Sequence, residues 1–533
     1  MAEIDVRQEF LNTLLTTPHR DLAKLHGVHQ AMLDGDPRFY VRVAAWYADH
    51  GQVRDHKELF VAMLATSDFE GHRDVGLALL RQLPPYEVAR VVDFVKGYEA
   101  KRRQVLGHPG RGQAAAQPGL LTRVGRAVGL VKASQTPIEA AATRRQVEII
   151  TEKVGLFVNV PRSMRTEVER YLREREADPQ KFDRVALQAR KSLKRLYAGL
   201  HIQPSAHAQQ VLFAGKPPED SLAFKVKLIA GAQTPIEQAQ AIAQYRIPYR
   251  IASTIIKEMS PTVLAALIDV MTPQEVINSV GSLKQRGAFD NPDIKALIDV
   301  KIKAAKTDKR VSAYKAKVAA EAAGATGELA AALDEVTEAQ IKATGAITRA
   351  TALLIDKSGS MNMALEVGKQ LGAMISAIAQ AELYAYAFDT VAYPIEPRGP
   401  SLVDWEQAMA GLKAVGGTSC GVALDWLRRK GERVEQIVMV TDEGENTAPL
   451  FREAYAAYAE QLKVRPAIIL IKIGQAVTTL EQACAQLGVA PNVFEFRGDY
   501  YALPNVIPLL TYPSLADMVM EVLNYPLPQR KTR

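Results

Sequence analysis

Cysteine is nearly absent: Cys420 and Cys484 are the two in 533 residues. That excludes a disulfide framework and any cysteine-based zinc cluster, and it fits a reduced, intracellular compartment. Long apolar runs are missing too. The longest, such as AIILI beginning at Ala467, fall far short of the roughly 20 residues needed to span a bilayer. The opening stretch, MAEIDVRQEF, carries acids at once and has no apolar h-region, so no secretory signal is expected there. No GxxxxGK phosphate loop occurs, which excludes a P-loop ATPase. The expectation is a cytoplasmic protein.

The chain is too long for one compact core, and its length favours two to four domains. With 48% apolar and 23% charged residues it reads as an ordinary folded protein. The net charge of +7 is unevenly spread. From Ala346 onward there are 17 Lys and Arg against 20 Asp and Glu, and before it 49 against 39. A polyanion is the first candidate partner for the basic part. A membrane surface and a merely solubilising charge are the alternatives.

The first two thirds read as helix after helix. Apolar residues recur at three-to-four spacing in windows such as PPYEVARVVDFVKGYEAKRR (from Pro84) and SPTVLAALIDVM (from Ser260). Thr136-Pro137-Ile138-Glu139, Thr234-Pro235-Ile236-Glu237 and Thr272-Pro273-Gln274-Glu275 are capping boxes with proline at the first helical position. Ser260-Pro261 and Asn291-Pro292 are further starts. QTPIE occurs twice, at Gln135 and Gln233, without a strict period. The pattern predicts an irregular stack of helix pairs, an α-solenoid of the HEAT type. The span argues against a single compact bundle.

Near Thr348 the pattern changes. Apolar strands TALLI, LYAYAF, QIVMV and AIILIKI now alternate with amphipathic stretches. Buried strands separated by helices predict a doubly wound, mostly parallel α/β sheet. The expected division is a helical-repeat module over 1–345 and an α/β domain over 346–533. Three of the strands run into an acid, Asp356, Asp389 or Asp442. Ligands of such sheets bind beyond the carboxyl ends of the strands.

Asp356-Lys357-Ser358-Gly359-Ser360 follows the first strand, Gly416-Gly417-Thr418-Ser419 precedes a later helix, and Asp442 ends a third strand. Asp356 and Asp442 offer carboxylates, while Ser358, Ser360 and Thr418 offer neutral oxygens. This is the donor chemistry of a hard divalent cation, magnesium first. An isolated DxSxS is as readily a cap and turn; all three pieces in order point to the metal. The region resembles a von Willebrand factor A domain with a metal-ion-dependent adhesion site and matches it at all five positions. The resemblance implies a divalent ion whose open position takes an acidic group from a protein partner. Asp389 is read as a turn cap rather than a contact to metal-bound water, Glu443 and Glu445 as flanking charge, and Cys420 as a buried small hydrophobe.

Two basic stretches lack acids. Ala100 to Ile138 carries seven cations around HPGRG, and Arg184 to Pro218 carries six, five of them in RVALQARKSLKRLYAGL. Arg190 with Lys194 and Lys191 with Arg195 are like-charge i,i+4 pairs, which a free helix disfavours; a helix that keeps them is expected to meet phosphates. Tyr197 is a candidate base stacker and His201 a candidate hydrogen bonder. Lys301, Lys303, Lys306, Lys309, Arg310, Lys315 and Lys317 form a third basic area. A solvated helix face is the alternative for each.

DPRFYVRVAAWYADHG, VRDHKELF, GHRDVGLALLRQLPPYEV and RKSLKRLYAGLHIQP are similar to the TROVE module of Ro proteins. That module followed by a von Willebrand A domain resembles the bacterial members of the Ro family. The resemblance implies a monomeric ring of HEAT-like repeats shut by the A domain. It further implies Y RNA on an outer basic surface, single-stranded 3′ ends of misfolded noncoding RNA in a central hole, and work alongside polynucleotide phosphorylase in ribosomal RNA turnover under stress. Lys191, Lys194, Arg195 and His201 match the family's Y RNA surface, with Arg246, Arg250, Lys284 and Arg286 as further contacts. His72 and Arg73 of GHRD are as readily packing between helices as RNA contacts.

Three function classes follow. The first is a non-enzymatic RNA-binding ring, with affinity dominated by phosphate contacts. The second is an adhesion-type scaffold in which the metal site carries the function. An enzyme is the third and weakest, because one cation site and no convergent base are apparent.

Overall fold

A computed structural model describes residues 6–16, 22–51, 54–105, 147–308, 323–343, 345–474, 476–496, 506–512 and 515–530, with isolated positions between them. They form two compact units, 93–159 and the remainder.

The larger unit begins with helices α1 (Val6–Thr16), α2 (Leu22–Gly35), α3 (Pro37–His50), α4 (Arg54–Thr66), α5 (His72–Leu80) and α6 (Pro85–Lys96). The smaller unit takes up the end of α6 and pairs strands β1 (Tyr98–Val105) and β2 (Val147–Val154) antiparallel, Tyr98 opposite Val154. This corrects the expectation of helix running on through Arg103. Gly97 stops it at φ +75, and a Cβ there would lie 2.5 Å from the Phe157 ring, so only glycine fits. The Thr136 capping box and most of the 100–138 basic stretch lie outside the described residues.

Eight helices follow: α7 (Arg162–Glu176), α8 (Pro179–Gly199), α9 (Ala206–Phe213), α10 (Leu222–Gly231), α11 (Pro235–Tyr245), α12 (Tyr249–Ile255), α13 (Pro261–Val270) and α14 (Pro273–Gln285). They lead into α15 (Pro292–Ala305) and α16 (Glu328–Lys342). Four of their starts are those expected from the caps. Thr234 and Thr272 form reciprocal capping boxes with Glu237 and Glu275, and Ser260 and Asn291 accept from backbone N–H groups in the first turn. A continuous apolar core runs from Leu222 through Ile268 and Ile298 to Val336, the way stacked helix pairs bury their shared faces.

The α/β part comprises β3 (Thr351–Asp356), α17 (Asn362–Ile378), β4 (Leu383–Phe388), β5 (Ala392–Pro394), α18 (Leu402–Ala408), α19 (Val422–Lys430) and β6 (Gln436–Thr441). It continues with α20 (Phe451–Leu462), β7 (Ala467–Ile473), α21 (Thr479–Gln486), β8 (Asn492–Phe496), α22 (Ile507–Thr511) and α23 (Leu515–Asn524). The sheet order is β5-β4-β3-β6-β7-β8, parallel except for edge strand β5. Leu353 and Ile355 face one apolar core and Ala352 and Leu354 the other, the alternation of a sheet covered on both faces. On α17 the fit is close enough that a Cβ at Gly372 would meet the Trp405 ring at 2.3 Å.

Chain order reverses between β3 and β6: from β3 the chain moves outward to β4, then returns to the other side of β3. That switch point opens a crevice at the carboxyl ends of these two strands. Within the same unit α23 packs on α3 and α1 reaches β8. Trp46 Nε1 donates to Glu521 at 2.9 Å and Arg42 to the Tyr525 carbonyl at 2.6 Å, so the last helix and its tail lie on the first helices.

Candidate metal and nucleic-acid sites

Asp356 and Asp442 stand at the switch point, where β3 and β6 end. Asp356 is fully buried; its Oδ1 accepts from the Ser358 backbone N–H at 2.8 Å and its Oδ2 from the Thr441 hydroxyl at 2.7 Å. Burial pushes its pKa upward, and the Asp442 charge adds to this, so the two carboxylates are near enough to repel. The Ser360 hydroxyl donates to Asp442 Oδ2 at 3.4 Å, joining the loop after β3 to the loop after β6. Thr418 is buried. Its N–H donates to the Asn446 side chain at 3.0 Å, and its carbonyl accepts from Asn446 at 2.9 Å and Thr447 at 3.0 Å.

The three loops that carry the five residues are bonded to one another, Gly359 N–H donating to the Gly416 carbonyl at 3.2 Å. Among the described residues no group of three or more His, Cys, Asp or Glu is placed to hold a metal ion. The donor set is instead two carboxylates and three hydroxyls, all hard oxygens. That chemistry fits a divalent cation of the magnesium class, which keeps several waters and needs few carboxylates.

The flanking acids have other work. Asp389 caps its turn, as expected: Oδ1 accepts from the Val391 N–H at 2.9 Å, and the carboxylate forms a buried ion pair with Lys357. That pairing holds its pKa below the usual carboxylate range against the upward push of burial. Glu443 turns away from the site, pairing with Lys472 at 2.9 Å and accepting from the Leu480 N–H at 3.0 Å where α21 begins. Glu445 accepts from the Phe451 N–H at 2.8 Å. Cys420 is fully buried, and burial raises its thiol pKa, as befits an inert small hydrophobe.

The candidate RNA residues lie on several helices. On α8, Lys191 and Arg195 are exposed, while Leu193, Leu196 and Tyr197 face inward. Tyr197 is not available for stacking: its ring is buried and its hydroxyl donates to Glu176 Oε1 at 2.6 Å. The like-charge pair Arg190 and Lys194 is eased by α9, Arg190 donating to the Leu212 carbonyl at 2.9 Å and Lys194 lying 5.4 Å from the Phe213 ring centre. His201 is exposed in a left-handed conformation just past α8, and its carbonyl takes Arg165 Nη2 at 3.0 Å.

Arg246 caps α11 and Arg250 opens α12, both exposed. Lys284 spends its ammonium on the carbonyls of Ala323 and Gly324, at 3.0 and 2.9 Å. Arg286 is half-buried at the end of α14. In the third basic area Lys301 is bonded to the Asp269 and Met271 carbonyls, and Lys306 pairs with Glu335; Lys309, Arg310, Lys315 and Lys317 fall outside the described residues. His72 is buried against Ser67, in keeping with a packing role.

The architecture was compared with known structures. The crystal structure of the Deinococcus radiodurans Ro (RSR) protein is similar with a TM-score of 0.60, over 94% of this chain and 99% of that one, at 14% sequence identity. The chain has the fold of a Ro protein. No family model matches the sequence, and no curated protein matches it. The Ro fold accounts for both parts of the larger unit, the helical stack and the α/β sheet that follows it. Among the described residues no helix is long and apolar enough to cross a membrane.

Proposed function

We propose that this chain is a non-enzymatic, RNA-binding protein of the Ro kind. The observation that carries the reading is the outer face of α8 within a Ro fold: Lys191 and Arg195 are exposed on a helix whose other side is anchored by Phe182, Leu193 and Leu196. Two exposed cationic side chains one turn apart on one helix face suit phosphate contacts, which supply most of the affinity in such complexes. In this reading the α8 surface, with His201, Arg246 and Arg250, holds a small structured RNA of the Y RNA type. Single-stranded 3′ ends of misfolded noncoding RNA or ribosomal RNA precursors enter the central opening that the Ro resemblance implies. A 3′-to-5′ exoribonuclease of the polynucleotide phosphorylase class acts beside it in RNA quality control under stress, in the cytoplasm.

The test is sequencing of RNA that copurifies with the full-length protein, together with filter binding of a recovered structured RNA across a salt series. Wild-type affinity is expected to fall steeply with salt. Lys191→Glu with Arg195→Glu is expected to weaken binding at least tenfold. Unchanged binding by the doubly reversed protein rejects the α8 surface, and absence of any copurifying RNA rejects the function.

A second reading, a metal-dependent protein-binding scaffold, is favoured by one observation: the Ser360–Asp442 bond joins the loop after β3 to the loop after β6 at the switch point. In that reading magnesium sits on Asp356, Ser358, Ser360, Thr418 and Asp442, and an acidic group of a protein partner completes it. Partner binding abolished by chelator, with RNA binding intact, supports this reading as a separate function of the same chain.

A further inference from the structure

Lys357 occupies the position between Asp356 and Ser358, inside the very loop that offers three of the five oxygen donors. Its side chain is 6% exposed, and its ammonium pairs with Asp389, itself 8% exposed. The Tyr393 ring centre lies 4.7 Å from the Lys357 Nζ, and the Tyr393 hydroxyl is 3.4 Å from Asp389 Oδ2. The pair is tied to the loop that carries Thr418. The Lys357 carbonyl accepts from Val415 N–H at 2.8 Å, and the Asp389 carbonyl from Ser419 N–H at 2.8 Å, on either side of Thr418. Asp389 Oδ2 lies against Gly416, where a Cβ would come within 3.3 Å of it. A third carboxylate therefore stands beside the candidate site, and a buried cation from the site's own loop neutralises it.

We infer that Lys357 is a specificity-determining positioning residue. By holding Asp389 as a turn brace, it keeps the cation site at two carboxylates and leaves the bound ion dependent on an outside anion. The inference rests on the metal reading above. A divalent ion held by two carboxylates is neutralised and retains attraction for one further anionic ligand. A third, unpaired carboxylate at this range would tighten the ion and repel that ligand, because charges in a buried site are weakly screened. Lys357 thus trades ion affinity for an open, anion-accepting position.

The test is titration of the full-length protein with Mn2+, read by electron paramagnetic resonance, for wild type, Lys357→Met, Asp389→Asn and the double variant, each checked for native circular dichroism. Freeing Asp389 in Lys357→Met is expected to tighten Mn2+ about tenfold. Leaving Lys357 unpaired in Asp389→Asn is expected to weaken it about as much, and the double variant returns close to wild type. A purely structural brace predicts weakening in both single variants, and that result, or no change in Lys357→Met, overturns the proposal. Should Lys357→Met fail to fold, Lys357→Gln, which also leaves Asp389 without its cation, gives the same comparison. If wild type and Asp356→Ala show the same absence of Mn2+ binding, the metal reading itself falls, and this inference with it.

Discussion

Arg530 donates its Nε–H to Glu167 Oε2 at 2.6 Å, joining the C-terminal tail to a helix 363 residues earlier in the chain. Glu167 is fully buried on α7 and takes a second guanidinium, Arg81 at 3.2 Å, while Arg530 also reaches Asp74 at 3.3 Å. With the Arg42 bond to the Tyr525 carbonyl and the Tyr525 hydroxyl bonded to Asp49 at 2.6 Å, residues 525–530 are fastened across α3, α5 and α7. Removing one partner of a buried pair strands the other's charge. Arg530→Ala is therefore expected to cost about 2 kcal/mol, softened by Arg81. The check is the thermal or urea midpoint of the intact protein. A midpoint equal to wild type means the tail contributes nothing to holding these helices.

The Thr441 hydroxyl is bonded to Asp356 Oδ2 at 2.7 Å and also accepts from the Glu443 N–H at 3.0 Å. It aims a proposed metal ligand without being one. Such outer partners are worth about 10- to 100-fold in metal affinity. Thr441→Val, which keeps shape and loses the hydroxyl, is expected to weaken Mg2+ or Mn2+ at least tenfold by calorimetric titration. Asp442→Asn is expected to abolish binding. Equal affinities in all three proteins would remove the ion from these loops.

Hydrogen bonding separates Lys191 from Lys284, which are both exposed. Each cation that neutralises a phosphate contributes about one unit to the slope of log affinity against log salt. Lys191→Ala is expected to lower that slope by about one, since its ammonium is solvated on α8. Lys284→Ala is expected to leave it unchanged, because that ammonium is bonded to two backbone carbonyls. A drop in slope of equal size for both variants would place Lys284 at the RNA and free it from the 323–324 carbonyls.

Much of this was legible from local pattern. The strands before Asp356 and Asp442 are fully buried, so they appear as unbroken apolar runs, and the Thr234 and Thr272 capping boxes are made by residues three positions apart. What escaped is set by distance in sequence or by short length. The β1–β2 pair starts where Gly97 ends α6, and β8, with only Phe494 and Phe496 buried, has no long apolar run to announce it. Tyr197 carries the same letters whether it stacks on a base or bonds to Glu176; burial by α7 and α9 decides. The pairing of Lys357 with Asp389 spans 32 residues and two strand ends, and only the parallel register of β3 on β4 brings them together.

Glu58 ties the stability of the fold to pH between 4.5 and about 8. It is buried on α4, with Arg90 Nε at 3.0 Å from Oε2, while Oε1 makes no hydrogen bond and has Arg54 Nε 3.6 Å away. Burial outweighs the guanidinium and pushes the pKa up to about 8. Between the ordinary value of 4.5 and 8 the folded chain therefore holds a proton that the unfolded chain has released. The associated stability is fully present below 4.5 and is lost as pH rises through 8. The wild-type melting temperature is expected to fall between pH 6 and pH 9, and Glu58→Gln, neutral throughout, is expected to flatten that fall. Calorimetric scans at several pH values in this range provide the measurement. An unchanged slope in Glu58→Gln would show that Glu58 is ionised in the fold and that Arg90, rather than burial, governs it.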